Sequence, residues 1–305
     1  MCGIVGLHLK SQRHHDSLGQ LLTPMLDCME TRGPDSAGLA IYEEAVPEGY
    51  YRYSVRLDST GPLDDMKSDV ATLVLELSHD LDSTVTCERV RPDGAVLIAP
   101  DRVTEVTSCL VRRRPDATIV GFGRQIEVVK DVGSPLEICL RHDIANRTGY
   151  QGIGHTRMAT ESAVTTDHSH PFAPQPDLAL VHNGSFSNHA TVRRRLAKEG
   201  IVCVTDNDSE VAARLIGREL AAGAPLEAAL KHMAHEMDGF YTLLVATGTE
   251  FAVVRDSFAC KPLVVAETDE YVAVTSEYIA MTSLPGIGAA RVYEPMPGEI
   301  HVWGR

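Results

Sequence analysis

The sequence predicts an α+β fold in which two β-sheets are faced by helices. Three observations carry that prediction. Short apolar runs of strand type open the chain, helical periodicity gathers toward both ends, and a tail of short apolar runs closes it. With 305 residues, 44% of them apolar, the chain has material for a sizeable core and reads as a single domain over residues 1–305.

Residues 3–9, Gly-Ile-Val-Gly-Leu-His-Leu, read as the first strand. Leu18, Leu21, Leu22, Met25, Leu26 and Met29 recur at i, i+3 and i+4, the spacing of an amphipathic helix, and Pro24 inside the pattern is a source of a kink. Arg32-Gly33-Pro34-Asp35 ends that helix, and residues 36–42 return to strand. Strand-like runs follow at 50–57, 70–77, 95–99 and 118–122, separated by turn residues such as Pro92-Asp93-Gly94 and Pro115-Asp116. Residues 135–147 read as helix and 151–157 as strand. Residues 178–182 form a short strand expected to run into a turn at Asn183-Gly184. Helical patterns cover 187–199, 208–222 and 225–237. The tail holds apolar runs at 241–246, 251–254, 263–266 and 272–275. No long low-complexity linker divides the chain, and residues about 43–135 read as an inserted subregion.

Composition excludes several classes of function. A net charge of −14 argues against a nucleic-acid surface, which needs clustered Lys and Arg. The basic cluster Arg193-Arg194-Arg195 lies in a helical pattern and is expected to be a solvated face or a partner contact. No run of 18 or more apolar residues occurs, so no membrane-spanning helix is expected. The start of the chain lacks the basic and apolar segments of a secretory signal, and a cytoplasmic location is expected. Seven cysteines (Cys2, Cys28, Cys87, Cys109, Cys139, Cys203 and Cys260) are scattered without a CxxC pair, which suits a reducing compartment and gives no zinc signature. His168-Ser169-His170 supplies two histidines, at most a partial metal site, and no metal is expected. No phosphate-cradling GxxxxGKS or GxGxxG and no flavin or iron–sulfur signature occurs, so no cofactor is expected.

The chemistry begins at Cys2. If Met1 is removed, one residue carries a thiol and a free α-amine. The amine, with an ordinary pKa of about 7.7–8.0, can take and return a proton near neutrality, so no distant base is required. The plain alternative is a small buried residue at the start of a strand. Four polar clusters stand beside it: Arg32-Gly33-Pro34-Asp35, Gly154-His155-Thr156-Arg157-Met158-Ala159-Thr160, His182-Asn183-Gly184, and Asp206-Asn207-Asp208-Ser209-Glu210. Singly, each has an ordinary reading: a turn, a surface arginine, a hairpin, a helix N-cap with a first-turn acid.

Taken in order, Cys2, RGPDSAG, GHTRMAT, HPF, HNGSFSN and NDSE resemble the glutaminase domain of class II glutamine amidotransferases, members of the N-terminal-nucleophile hydrolases. The resemblance is anchored from residue 2 to about residue 212. It implies a four-layer αββα sandwich and hydrolysis of glutamine to glutamate and ammonia through a Cys2 thioester. By the same resemblance Asn183 and Gly184 form the oxyanion hole, Arg157 holds the α-carboxylate of glutamine, Thr160 helps bind that head group, and Asp208 pairs with the α-ammonium. Arg32 and Asp35 order the loop near Cys2, and His170 corresponds to a family loop histidine. Met158 stands where many relatives have an aromatic residue, and Glu161 where the glucosamine-phosphate synthases have His, departures that argue against that subgroup. The NDSE form and the long insert resemble the stand-alone subunits of the glutamate synthase and N-methylglutamate synthase group. The implied partner is a separate synthase subunit, flavin-containing in that group, which receives the ammonia. Two other readings stand beside this one: an N-terminal-nucleophile amidohydrolase or acylase acting on another amide, and a non-catalytic glutamine-sensing or scaffold subunit should Met1 be retained.

Overall fold

The computed structural model describes residues 2–57, 63–158 and 165–305. Along the chain run β1 (Gly3–Leu9), α1 (Leu18–Asp27), β2 (Ser36–Tyr42), β3 (Tyr50–Arg56), α2 (Leu63–Leu81), β4 (Thr86–Arg91), β5 (Gly94–Pro100), α3 (Val103–Arg113), β6 (Thr118–Gly123), β7 (Ile126–Val132), α4 (Pro135–Arg141), β8 (Gln151–Arg157) and β9 (Ala179–Phe186). Then follow α5 (His189–Lys198), α6 (Asp208–Ala221), α7 (Leu226–Glu236), β10 (Gly239–Ala246), β11 (Glu250–Arg255), β12 (Val264–Glu267), β13 (Tyr271–Thr275), β14 (Arg291–Tyr293) and β15 (Ile300–Gly304).

The strands form three sheets. A seven-stranded sheet has the order β14-β12-β13-β1-β8-β2-β7, a second has β15-β11-β10-β9, and a third has β4-β5-β3-β6. Alternation along each strand of the first two sheets fills two faces with apolar side chains. In β1, Ile4 joins the layer between the sheets, while Val5, Leu7 and Leu9 pack with Leu22, Met25, Leu26 and Ile138 of α1 and α4. In β10, Leu244 faces the inter-sheet layer with Val181, Phe251 and Val253, while Leu243 packs with Leu196, Leu215, Ile216 and Leu230 under α5, α6 and α7. Helix, sheet, sheet and helix therefore stack as the αββα sandwich implied above.

The third sheet has its own core. Tyr53, Val55 and Leu97 pack against Met66, Val70, Leu73 and Leu77 of α2 and Val106 and Leu110 of α3. It spans residues 50–123, narrower than 43–135, because β7 pairs with β2 as the edge of the seven-stranded sheet. Side chains from the third sheet meet that edge. The Val128 amide donates to Ser54 Oγ at 2.9 Å, and Arg91 Nη1 donates to the Val128 carbonyl at 2.7 Å. Glu127, buried beside them, lies 3.2 Å from Arg147 Nη2 and 3.6 Å from Arg91 Nη1 and is also bonded by Arg89.

Three local expectations change. Residues 70–77 belong to α2 rather than to a strand: Met66, Val70, Leu73, Leu77 and Leu81 are the buried positions, a helical 4-3-4-4 spacing that the apolar density of the segment obscured. The helix expected over 135–147 stops at Arg141; Asp143 adopts a left-handed conformation, and a short 3₁₀ turn at Ile144–Asn146 follows. Asn183-Gly184 is not a turn, since β9 continues to Phe186 with Asn183 opposite Thr242 and Gly184 opposite Tyr241.

Candidate active site

Cys2 stands just before β1 and is half-buried. Backbone and side-chain bonds from two distant parts of the chain fix the strand behind it. The Gly3 amide donates to Thr156 Oγ1 at 3.2 Å, the Ile4 amide to Ser276 Oγ at 2.9 Å, and the Ser276 amide to the Ile4 carbonyl at 3.0 Å. The Cys2 carbonyl itself accepts from Arg32 Nε at 3.0 Å and Asn183 Nδ2 at 2.9 Å. Arg32 is held in turn by Glu277, Nη1 to Oε1 at 2.6 Å. Residue 2 thus has its carbonyl pinned by one cation and one amide.

Arg157 closes β8, buried, opposite Ser36 of β2. The RGPD loop lies directly on this strand end: the Asp35 amide donates to the Arg157 carbonyl at 3.1 Å. A Cβ at Gly33 would sit 2.6 Å from the backbone N and C of Arg157, so only glycine permits the approach. The sequence placed Arg32 and Asp35 as loop-ordering residues, and each contacts the backbone of a proposed site residue, Cys2 and Arg157 respectively. Thr160 lies outside the described residues, as does Met1.

Asn183 is buried in β9, and Gly184 beside it is exposed. Gly184 has φ +141°, and an added Cβ would stand 2.0 Å from the Phe240 carbonyl oxygen across the ladder. Asn183 Nδ2 carries two hydrogens. One is committed to Cys2; the other has only a long contact, to Ser276 Oγ at 3.4 Å.

Asp208 is the first residue of α6, and the N-cap is its neighbour Asn207, whose side chain accepts from the Ser209 amide at 2.9 Å. Asp208 is thereby free of the capping role the sequence pattern offered it. Its Oδ2 accepts from the Phe186 amide at 2.8 Å, which ties it to the strand carrying Asn183 and Gly184. Arg193 is not a solvated member of a basic face: it donates to the carbonyls of Thr205 and, at 3.0 Å, Asn207, and so braces the loop leading into Asp208.

A buried histidine layer supports this wall. Ser209 Oγ lies 2.9 Å from His170 Nε2, 2.8 Å from His182 Nδ1 and 3.2 Å from Asp208 Oδ1. With its one proton given to Asp208, its lone pairs accept an N–H from each imidazole, which sets a proton on His170 Nε2 and on His182 Nδ1, and both rings are kept neutral. Burial supplies the reason. It pushes His155 down to about 3, His170 well below the ordinary histidine value, and His182 down despite the nearby Asp208. His155 lies with its ring centre 4.2 Å from that of His170, tilted by 36°, and bonds the His182 carbonyl at 3.1 Å. His168 instead bonds Thr165 Oγ1 at 2.7 Å and Asp206 at 2.6 Å. Among the described residues no three His, Cys, Asp or Glu side chains are grouped to hold a metal ion.

Direct contact therefore joins Cys2, Arg32 and Asn183; β9 links Asn183 and Gly184 to Asp208, and Ser209 links Asp208 to His170. Sequence reasoning missed Thr156, Ser276 and Glu277, which position β1 and Arg32, and Ser209, which joins the histidines. Ser209 sat inside the NDSE motif. Thr275-Ser276-Glu277 carried no signal, because only the pairing of β13 with β1 brings it to Cys2.

Residues 155–283 match the family described as "Glutamine amidotransferase domain". The chain is 47% identical to "Glutamine amidotransferase-like protein GlxB" of Rhizobium meliloti, covering 99% of this chain and 98% of that protein. It is 32% identical to "Putative glutamine amidotransferase" of Methanothermobacter thermautotrophicus over 99% of each. Its fold matches the glutamine phosphoribosylpyrophosphate amidotransferase of B. subtilis with a TM-score of 0.61 at 20% identity, covering 99% of this chain but only 47% of the other. The chain belongs to the class II glutamine amidotransferases, glutamine-hydrolysing enzymes of the N-terminal-nucleophile fold.

Proposed function

We propose that this protein cleaves glutamine through a thioester on Cys2 and passes the ammonia to a synthase active site on a separate chain. The observation that carries the reading is the junction at the start of β1, where Arg32 and Asn183 hold the Cys2 carbonyl beside the Gly184 strand.

In this reading Met1 is removed, and the Cys2 α-amine takes the thiol proton as Sγ attacks the side-chain carbonyl of glutamine. The negative charge that develops on the carbonyl oxygen is met by the second N–H of Asn183 and the backbone N–H of Gly184. One such donor is worth about 3–4 kcal/mol of barrier. The amine returns its proton to the departing ammonia, and water then attacks the thioester to release glutamate. Arg157 grips the α-carboxylate with its planar fork, with Thr160 assisting, and the open lone pairs of Asp208 take the α-ammonium. Reading both charges of the head group selects a free amino acid over a simple amide.

The ammonia acceptor is proposed to resemble the glutamate synthase or N-methylglutamate synthase type, a flavin-containing partner. The similarity to the "Glutamine amidotransferase-like protein" and the "Putative glutamine amidotransferase" over nearly their whole lengths supports the amidotransferase reading. The test is direct. Purified chain with glutamine should release glutamate and ammonium in equal amounts, the Cys2→Ser variant should release none, and mass spectrometry should find the trapped glutamyl group on Cys2 of a chain lacking Met1. Glutamyl label on another cysteine, or turnover by Cys2→Ser, refutes the mechanism. Co-purification without any flavoprotein synthase refutes the partner class.

A further inference from the structure

A cavity of about 490 Å³ opens where the third sheet, β7 and the loop before α6 meet. None of Cys2, Arg157, Asn183, Gly184 or Asp208 lines it. Its apolar wall includes Ile119, Phe172 and Pro174, and its polar rim includes Asp206, Glu210 and Arg214. Lys130 points into it from β7. Ile126 and Val128, four and two residues earlier on the same face, belong to the inter-sheet core, so Lys130 continues a buried row and is only 6% exposed.

Every other charged group described around the cavity is already satisfied. Asp167 takes Arg56 at 2.9 Å, Asp206 takes His168 at 2.6 Å, and Glu210 holds Arg214 at 3.2 Å while accepting the Val204 and Thr205 amides at 2.8 and 2.7 Å. Among the described residues Lys130 Nζ has no hydrogen-bond acceptor and no carboxylate within ion-pair distance; its close neighbour is the Phe172 ring, 4.8 Å away. The amine faces the cavity with no direct acceptor, and the low-dielectric site pushes it down to about 8 against the pull of Asp167 and Glu210. Its surroundings specify what would pair with it. A cation meets the ammonium. A polyanion such as a phosphate ester meets three carboxylates at the rim. A single carboxylate on a compact apolar body satisfies the amine and fills the wall.

We propose that this cavity is a binding site for an apolar monocarboxylate, with its carboxylate on Lys130 Nζ and its body against Phe172 and Ile119. The volume lies within the usual range of small-molecule sites. The proposal does not depend on how glutamine is cleaved.

Phenylacetate and octanoate serve as probes on the full-length chain, with phenylacetamide as the uncharged match to phenylacetate. Calorimetric titration should show saturable binding of both carboxylates, at least tenfold weaker binding of the amide, and at least a tenfold loss for both carboxylates in Lys130→Met. On the wild-type chain, phenylacetate should protect Lys130 from acetylation by an amine-reactive ester, read by peptide mapping, so the answer does not rest on the variant alone. Saturating glutamine should leave phenylacetate binding within twofold. Absence of saturable binding, Lys130→Met binding within twofold of wild type, equal protection by the amide, or displacement by glutamine each overturns the assignment.

Discussion

Replacing Asp208 by Asn separates the charge of this residue from its structural bond. The wild-type carboxylate accepts the Phe186 amide through one oxygen at 2.8 Å and faces Ser209 Oγ with the other at 3.2 Å. Asparagine keeps an oxygen for Phe186 and places its NH₂ toward Ser209. Ser209 then turns its own proton to one of the two imidazoles, which needs only a tautomer switch in His170 or His182. The fold should lose no more than about 1 kcal/mol. Substrate binding loses a charge-assisted bond, about 1.5–3 kcal/mol, or roughly 10- to 150-fold in kcat/KM for glutamine. Glutaramate, which lacks the α-ammonium, should be turned over equally by both proteins. The assay is glutamate or glutarate release, with a thermal melt as the folding control. If Asp208→Asn melts like wild type and keeps kcat/KM for glutamine within twofold, Asp208 does not read the ammonium.

Arg157→Lys should raise the glutamine KM tenfold or more, because an ammonium cannot make the two-point contact of a guanidinium; a KM within twofold of wild type would show that the carboxylate sits elsewhere. Gly184→Ala places a methyl 2.0 Å from the Phe240 carbonyl oxygen at a positive φ, and should cost about 1–3 kcal/mol of stability together with most of kcat. Unfolding in urea at unchanged midpoint would contradict that packing. His155, His170 and His182 are all held below their ordinary values, so the unfolded chain binds protons that the folded chain refuses. Their contribution to stability is therefore full above about pH 6.5 and falls as pH drops through that value toward the folded pKa. The urea midpoint should fall between pH 7.5 and pH 5, and His170→Gln, which can still donate to Ser209, should make that fall smaller; an equal fall in both proteins refutes the link.

The layers of the sandwich were legible because β1, β2, β8 and α5 to α7 carry clean periodicity, and because Cys2 and its four motifs keep a fixed order. What the sequence concealed was pairing and depth. The run at 70–77 is dense enough in apolar residues to resemble a buried strand, and only the burial of every third or fourth residue reveals a helix. Asn-Gly ordinarily signals a hairpin. Here β10 continues alongside the pair, and glycine serves close approach rather than a reversal. Ser276 and Glu277 come to Cys2 through a ladder closed from more than 270 residues away along the chain. Lys130 gave no sequence signal either, since a lysine in a strand is ordinarily read as facing water.

The bonds from Ser54 and Arg91 to β7 bear on any attempt to shorten this protein. β7 is where the larger sheet runs out of strands, and a terminating strand with free amides and carbonyls recruits other chains. The polypeptide between Tyr42 and Ile126 answers that hazard with a hydroxyl and a guanidinium in place of a further strand. Engineers who trim the region to a minimal hydrolase would unmask this seam and take Arg89 and Arg91 from the Glu127 carboxylate, leaving it Arg147. The failure to expect is self-association through β7, with the catalytic end of the molecule still correctly folded.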